Sequence, residues 1–114
     1  MHKVIVESPY AGDIAANVEY AQRALRDCLT QHGEAPIASH LLYTQPNVLD
    51  DAVPDERALG IAAGLVWREA ADYAVFYVDR GWSSGMVAAR ELYDREGFPY
   101  VLRTLEEQPR IDAQ

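Results

Sequence analysis

Residues 73–86 read YAVFYVDRGWSSGM, and the pattern changes twice within them. Tyr73 to Val78 is an apolar, β-branched and aromatic run suited to a buried strand. Asp79, Gly81, Trp82, Ser83, Ser84 and Gly85 then interrupt it, and Gly85 to Glu96 reads as a helix. A plain strand-to-helix connection needs one or two turn residues. This one has the composition of a site.

Working outward, Lys3 to Glu7 (KVIVE) is a first strand, bounded by Ser8-Pro9. A helix is expected from Asp13 to about His32. Ala16, Val18, Ala21, Leu25, Cys28 and Leu29 recur at three- and four-residue spacings, Glu19, Arg23 and Asp27 take other faces, and Gly33 is the stop signal. Ala35 to Ser39 is a second, weaker strand. His40 to Pro54 is irregular, yet too apolar in Leu41, Leu42, Tyr43 and Val48 for a solvated linker. Asp55 to Ala71 reads as a helix with Asp55 and Glu56 in an acidic first turn. Its Gly60 and Gly64 lie on one face and admit another backbone at close range. Pro99 to Leu102 is the fourth strand, and 106–114 read as a frayed, disordered tail.

This alternation predicts an α/β fold: a Rossmann-like or flavodoxin-like three-layer sandwich with a small parallel sheet, order 2-1-3-4, in one domain over 1–105. At 114 residues the chain can bury a core without metals or disulfides. A net charge of −8 argues against polymeric DNA or RNA, which need a basic face, but permits a single nucleotide. Cys28 is the only cysteine, so neither an intrachain disulfide nor a cysteine-based zinc site is open to it. With no apolar run of membrane-spanning length and no signal-like N-terminus, a cytoplasmic protein is expected.

In open α/β sheets, ligands sit beyond the carboxyl ends of the strands where the strand order reverses. That crevice falls between ESPYAGD (7–13) and DRGWSSGM (79–86). Ser83, Ser84, Gly85 and Met86 would stand at a helix N-terminus suited to an anion. Ser8, Pro9, Tyr10, Gly81 and Trp82 complete the loops, with Tyr10 and Trp82 offering flat faces to a sugar or base. The plainer alternative is that Ser84 caps the helix and Trp82 packs on the rim. His40 either meets the ligand, as phosphate donor or acid–base group, or anchors its loop. Arg57 reaches a phosphate or pairs with Asp55 or Asp51 in solvent, and Asp50-Asp51 reads as a charged turn rather than a magnesium site. His2, His32 and His40 lack metal-ligand spacing, so neither a metal nor a cofactor is expected. Trp67 is placed in the core or at a subunit interface.

The runs KVIVESPYAGD, HGEAPIASHLLYTQ and DRGWSSGMVAAREL resemble the nucleoside 2-deoxyribosyltransferase-like superfamily. The likeness is greater to a branch found in phage and bacterial genomes that lacks the usual catalytic glutamate. The resemblance spans nearly all of 3–105. It implies a Rossmann-like domain that cleaves or exchanges the N-glycosidic bond of a deoxynucleoside or its monophosphate, and a homo-oligomer in which a neighbouring subunit completes the pocket. It also implies a nucleophilic glutamate four residues after the glycine of the small-residue turn. Here that glycine is Gly85, and the position holds Ala89. A further aspartate, eight residues before Asp72, is replaced by Gly64. Glu91 lies roughly 200° round the helix from Ala89 and faces elsewhere. Asp79 and Glu7, each at a strand end, are the carboxylates that could substitute as catalytic pair. The other reading makes Asp79 a turn cap or a ribose contact, and the protein a binder of nucleotides or nucleosides rather than an enzyme.

Overall fold

The computed structural model describes residues 1–105; the expected tail at 106–114 lies outside them. Four strands form one parallel sheet: β1 (Lys3–Glu7), β2 (Ala35–Ile37), β3 (Tyr73–Tyr77) and β4 (Tyr100–Arg103), in the order β2-β1-β3-β4. The order is the one the alternation predicts. Register pairs Val4 with Tyr73 and Glu7 with Phe76, while Tyr77 pairs with Arg103 across to β4.

Helices flank the sheet. α1 (Ile14–Gln31) begins at Asp13, whose side chain accepts from the Ala16 N–H. It packs Tyr20, Ala24 and Cys28 against Val4, Val6, Val75 and Tyr77. Its buried face runs through Asn17, Tyr20, Ala21, Ala24 and Cys28, not through the expected Leu29, which is exposed. Ala21 and Cys28 are buried and Leu25 packs against the core as expected; Tyr20 joins them, burying its ring and extending its hydroxyl to a polar partner at the sheet end. On the opposite face α4 (Ser84–Glu96) sets Met86, Ala89 and Tyr93 on Ile5, Ala74 and Phe76. Gly97 closes α4 at φ +70°, a conformation glycine adopts without strain.

The largest boundary shifts fall between β2 and β3, while β3, α4 and β4 move by a single residue. β2 stops at Ile37, and Ser39–Leu42 coils into a short helix, α2, so His40 sits on a helical turn rather than in irregular chain. α3 (Pro54–Val66) starts one residue early because Pro54 fits a first-turn position, which lacks a helical acceptor for its N–H. It ends at Val66, passing into a 3₁₀ turn over Trp67–Glu69. Trp67 is 44% exposed and donates from its indole N–H to the Tyr43 hydroxyl at 2.9 Å. The face carrying Gly60 and Gly64, expected to meet another backbone or a second subunit, is occupied from within the chain. A Cβ on Gly60 would lie 3.2 Å from Leu49 Cδ1, and one on Gly64 would lie 2.9 Å from Ser39 Cβ. The small residues let α2 and the 43–53 loop settle on α3, over the carboxyl edge of β1. Among the described residues, no helix is long and apolar enough to cross a membrane.

Candidate functional site

At the carboxyl edge of β1 the side chains alternate between the two sheet faces. Glu7, in step with Ile5, points to the α4 side; Ser8 is buried and turns toward α2. Both line a cavity of about 150 Å³ between β1, α2, α3 and the start of α4. Glu7 Oε2 accepts a hydrogen bond from the Tyr93 hydroxyl at 2.7 Å. Burial pushes its carboxyl up to about 7, against the opposing pull of the Tyr93 hydrogen bond. Burial and the neighbouring Glu7 charge together push the Tyr93 phenol well above its ordinary range.

Ser8 Oγ lies 2.8 Å from His40 Nε2. Burial holds His40 down to about 4, so the imidazole is neutral near neutral pH. The loop beyond is tied back by Thr44, whose hydroxyl donates to the His40 carbonyl at 2.6 Å. Across the cavity, Ser83 caps α4: extended at φ −77° and ψ 166°, its Oγ accepts from the Met86 N–H at 3.2 Å. The cap is therefore Ser83 rather than Ser84. Ser84 and Gly85 follow in the first turn, where N–H groups have no helical acceptor. A Cβ at Gly85 would meet nothing closer than Ser83 Oγ at 4.0 Å, so the glycine leaves open cavity there.

Of the residues singled out from the sequence, the structure brings together Glu7, Ser8, Tyr10, His40, Ser83, Ser84, Gly85 and Met86 around one cavity. Pro9 is buried beside them. Asp79, Gly81 and Trp82 lie outside the lining. Asp79 accepts from the Tyr20 hydroxyl at 2.6 Å and from the Leu105 N–H at 2.8 and 3.0 Å, on the α1 side of the sheet. Gly81, at φ +82°, forms the turn that returns its N–H to the Val78 carbonyl at 3.0 Å. Trp82 packs on Phe76 with ring centroids 5.0 Å apart, under the Arg90 guanidinium at 4.8 Å. The sequence reading missed Tyr43, Leu49, Ile61 and Leu65 in the wall. The apolar content of the long loop and the Gly60/Gly64 spacing were the signals pointing to them. Arg57 also lines the cavity, 3.5 Å from Asp51, so its guanidinium is engaged by a carboxylate at the rim. No group of three or more His, Cys, Asp or Glu among the described residues is placed to hold a metal ion.

Residues 2–103 match the model of a family described as a domain of unknown function, DUF7768. The chain belongs to this family. It is also similar in structure to a 2-deoxyribosyltransferase from the psychrotolerant bacterium Bacillus psychrosaccharolyticus, a biocatalyst for nucleoside synthesis. The TM-score is 0.62 at 18% identity, over 94% of this chain and 75% of that one. At that identity the likeness is one of fold. A search of curated proteins gives no match.

The structure also gives a physical setting for Ala89 and Gly64, the two positions at which the resemblance implies carboxylates. Ala89 is buried in the cavity wall, so the position is a wall position with only a methyl on it. Gly64 packs so closely on Ser39 that no larger side chain fits without parting α3 from α2. The carboxylates that do line the cavity are Glu7, at the end of β1, and Asp51 and Glu56.

Proposed function

We propose that this protein binds a nucleotide or a nucleoside-derived small molecule at the carboxyl edge of its parallel sheet, sensing or sequestering it. The observation that carries this reading is the cavity itself. It lies at the reversal of strand order, with the first turn of α4 on one side and Glu7, Ser8 and His40 on the other. An anionic group would sit by the backbone of Ser83 to Met86, and Tyr10 and Tyr43 supply aromatic surface at the wall. The superfamily resemblance and the fold likeness favour a nucleoside over other small molecules.

A second reading, cleavage of an N-glycosidic bond, is favoured by one feature: a cavity carboxyl poised near neutrality, where a general acid or base is most effective. We assign any such role to Glu7 rather than Asp79, because Asp79 is engaged by Tyr20 and Leu105 away from the cavity. Ala89 excludes a covalent glycosyl intermediate at the usual position. We further propose a cytoplasmic homo-oligomer. Its contact would use the exposed Leu59, Val66 and Trp67 rather than the Gly60/Gly64 face, which is already covered.

A thermal-shift and chromatographic screen of nucleosides, nucleotides and ADP-ribose derivatives reads binding and base release together. Binding without release supports the first reading, and base release lost in Glu7→Gln supports the second. No binding by any member of the panel would overturn both.

A further inference from the structure

Glu7 presents its two oxygens differently. Oε2 is held by the Tyr93 hydroxyl at 2.7 Å, whereas Oε1 has no hydrogen-bond partner among the described residues. No buried side-chain oxygen or nitrogen among them lacks a partner, so Oε1 is reached from the cavity that Glu7 lines. The oxygen is thus aimed at whatever occupies that space. No cation among the described residues is bonded to it. The neighbouring α2 contributes His40, itself neutral, and α4 contributes Tyr93. At the rim, α3 brings Glu56 and Arg57, and the loops bring Asp51, Tyr43 and Tyr10. Arg57 is drawn to Asp51, and Arg68 is turned to Glu96 at 2.7 Å. Burial without a counter-cation favours the uncharged acid, and a charged carboxylate would face two more acids at the rim.

Building on the proposed nucleoside reading, we infer that Glu7 meets the ligand as an uncharged carboxylic acid. It gives a hydrogen bond from Oε1 to a lone-pair acceptor, a ring nitrogen or carbonyl of the base. The proton stays on Oε1 in the complex. When Glu7 is ionised beforehand, binding takes one proton from solvent. The cavity therefore selects heterocycles with an exposed acceptor and disfavours cationic ligands. The same neutral acid leaves the first turn of α4 free to receive an anion without repulsion from Glu7.

The test is isothermal titration calorimetry from pH 5.5 to 8.5, in buffers of different ionisation enthalpy. The probes are adenosine and deoxycytidine, whose own ionisation lies outside that range. For the wild type, affinity should be flat below about pH 7 and fall about tenfold per pH unit above it, with uptake of one proton. Glu7→Gln, whose amide still donates, should hold its low-pH affinity to within about threefold and lose the pH dependence. Tyr93→Phe removes the hydrogen bond that lowers the Glu7 carboxyl, so the break should move to higher pH. A wild-type affinity that is level or rises with pH, or a Glu7→Gln variant that keeps the break, overturns the inference while leaving the nucleoside reading in place. Absence of binding by either nucleoside at every pH overturns the inference; binding of other members of the wider panel then decides the nucleoside reading separately.

Discussion

Glu7 and Glu34 lie on opposite faces of one small sheet, each receives a hydrogen bond from a tyrosine, and they titrate in opposite directions. Glu7, on the α4 side, has Tyr93 and no cation among the described residues, and burial carries it up to about 7. Glu34, on the α1 side, is almost fully buried. Burial alone would raise it too, but Arg103 donates to both of its oxygens at 2.8 and 3.0 Å and Tyr73 adds a further bond. The result is a carboxyl brought down to about 2. The guanidinium makes the difference. A buried carboxylate with a bidentate arginine is an anchor tying β4 to the segment before β2; one without a cation remains available to a ligand.

The largest expected effect comes from breaking the anchor. Arg103→Met would leave the Glu34 charge buried and unpaired, costing about 3–5 kcal/mol in denaturant unfolding at pH 7. The double variant Glu34→Gln/Arg103→Met should recover most of that loss. Because the folded pKa of Glu34 is depressed, its contribution is present above the ordinary 4.5 and is lost as pH falls toward 2. The gap between wild type and Arg103→Met should therefore close on acidification through that window. A gap as wide at pH 3 as at pH 7 would mean that Arg103 acts by packing rather than charge.

Removing the Glu7 charge should do the reverse. Its folded pKa is raised, so stability is complete below the ordinary 4.5 and is lost as pH rises through about 7. Glu7→Gln should be near neutral at pH 4 and stabilising by about 1–3 kcal/mol at pH 8. Equal wild-type and variant stabilities across that range would show that Glu7 is not strained by burial. A stabilising substitution in the cavity is the mark expected of a residue kept for function.

His40 sharpens the same contrast, being a partly buried group on the cavity side with no carboxylate bonded to it among the described residues. Its folded pKa lies near 4 against an ordinary 6.5, so the unfolded chain takes up the proton first and the fold weakens as pH falls between those values. His40→Gln, which can still bond Ser8, should flatten that limb by about 1–2 kcal/mol at pH 5. An unchanged acid limb in urea titrations would place the sensitivity elsewhere.

The sheet order was legible because strand and helix alternate cleanly from Lys3 to Arg103, and alternation with right-handed crossovers leaves few arrangements. Much of the cavity was legible because SPY and WSSGM have compositions no plain connection needs. Which of Glu7 and Asp79 lines the cavity was not. It depends on the register that pairs Glu7 with Phe76 and so sets Glu7 on the α4 face; two residues beyond Tyr77, Asp79 falls on the α1 face. Register between distant strands leaves no mark in either loop. The anchor was equally invisible, because Glu34 and Arg103 are 69 residues apart and lie in segments of ordinary composition.

The smallest expected change in stability, with a large one in binding, is at Gly85. The anchor at Glu34 lies on the other face of the sheet, so a change in the first turn of α4 should leave it untouched. A Cβ at Gly85 meets no atom closer than 4.0 Å, and α4 is capped by Ser83 rather than by this residue. Gly85→Val should therefore fold with a stability change below about 1 kcal/mol, the range of a propensity effect. Its two methyl groups would occupy the space where an anion approaches the backbone, and nucleotide binding should weaken about tenfold or more. Nucleosides, with no phosphate to place there, should lose less. Parallel thermal unfolding and calorimetry with adenosine and adenosine 5′-monophosphate separate these effects. Equal loss for the two ligands would move the phosphate away from α4, and a large loss of stability would show that Gly85 serves the fold as Glu34 does.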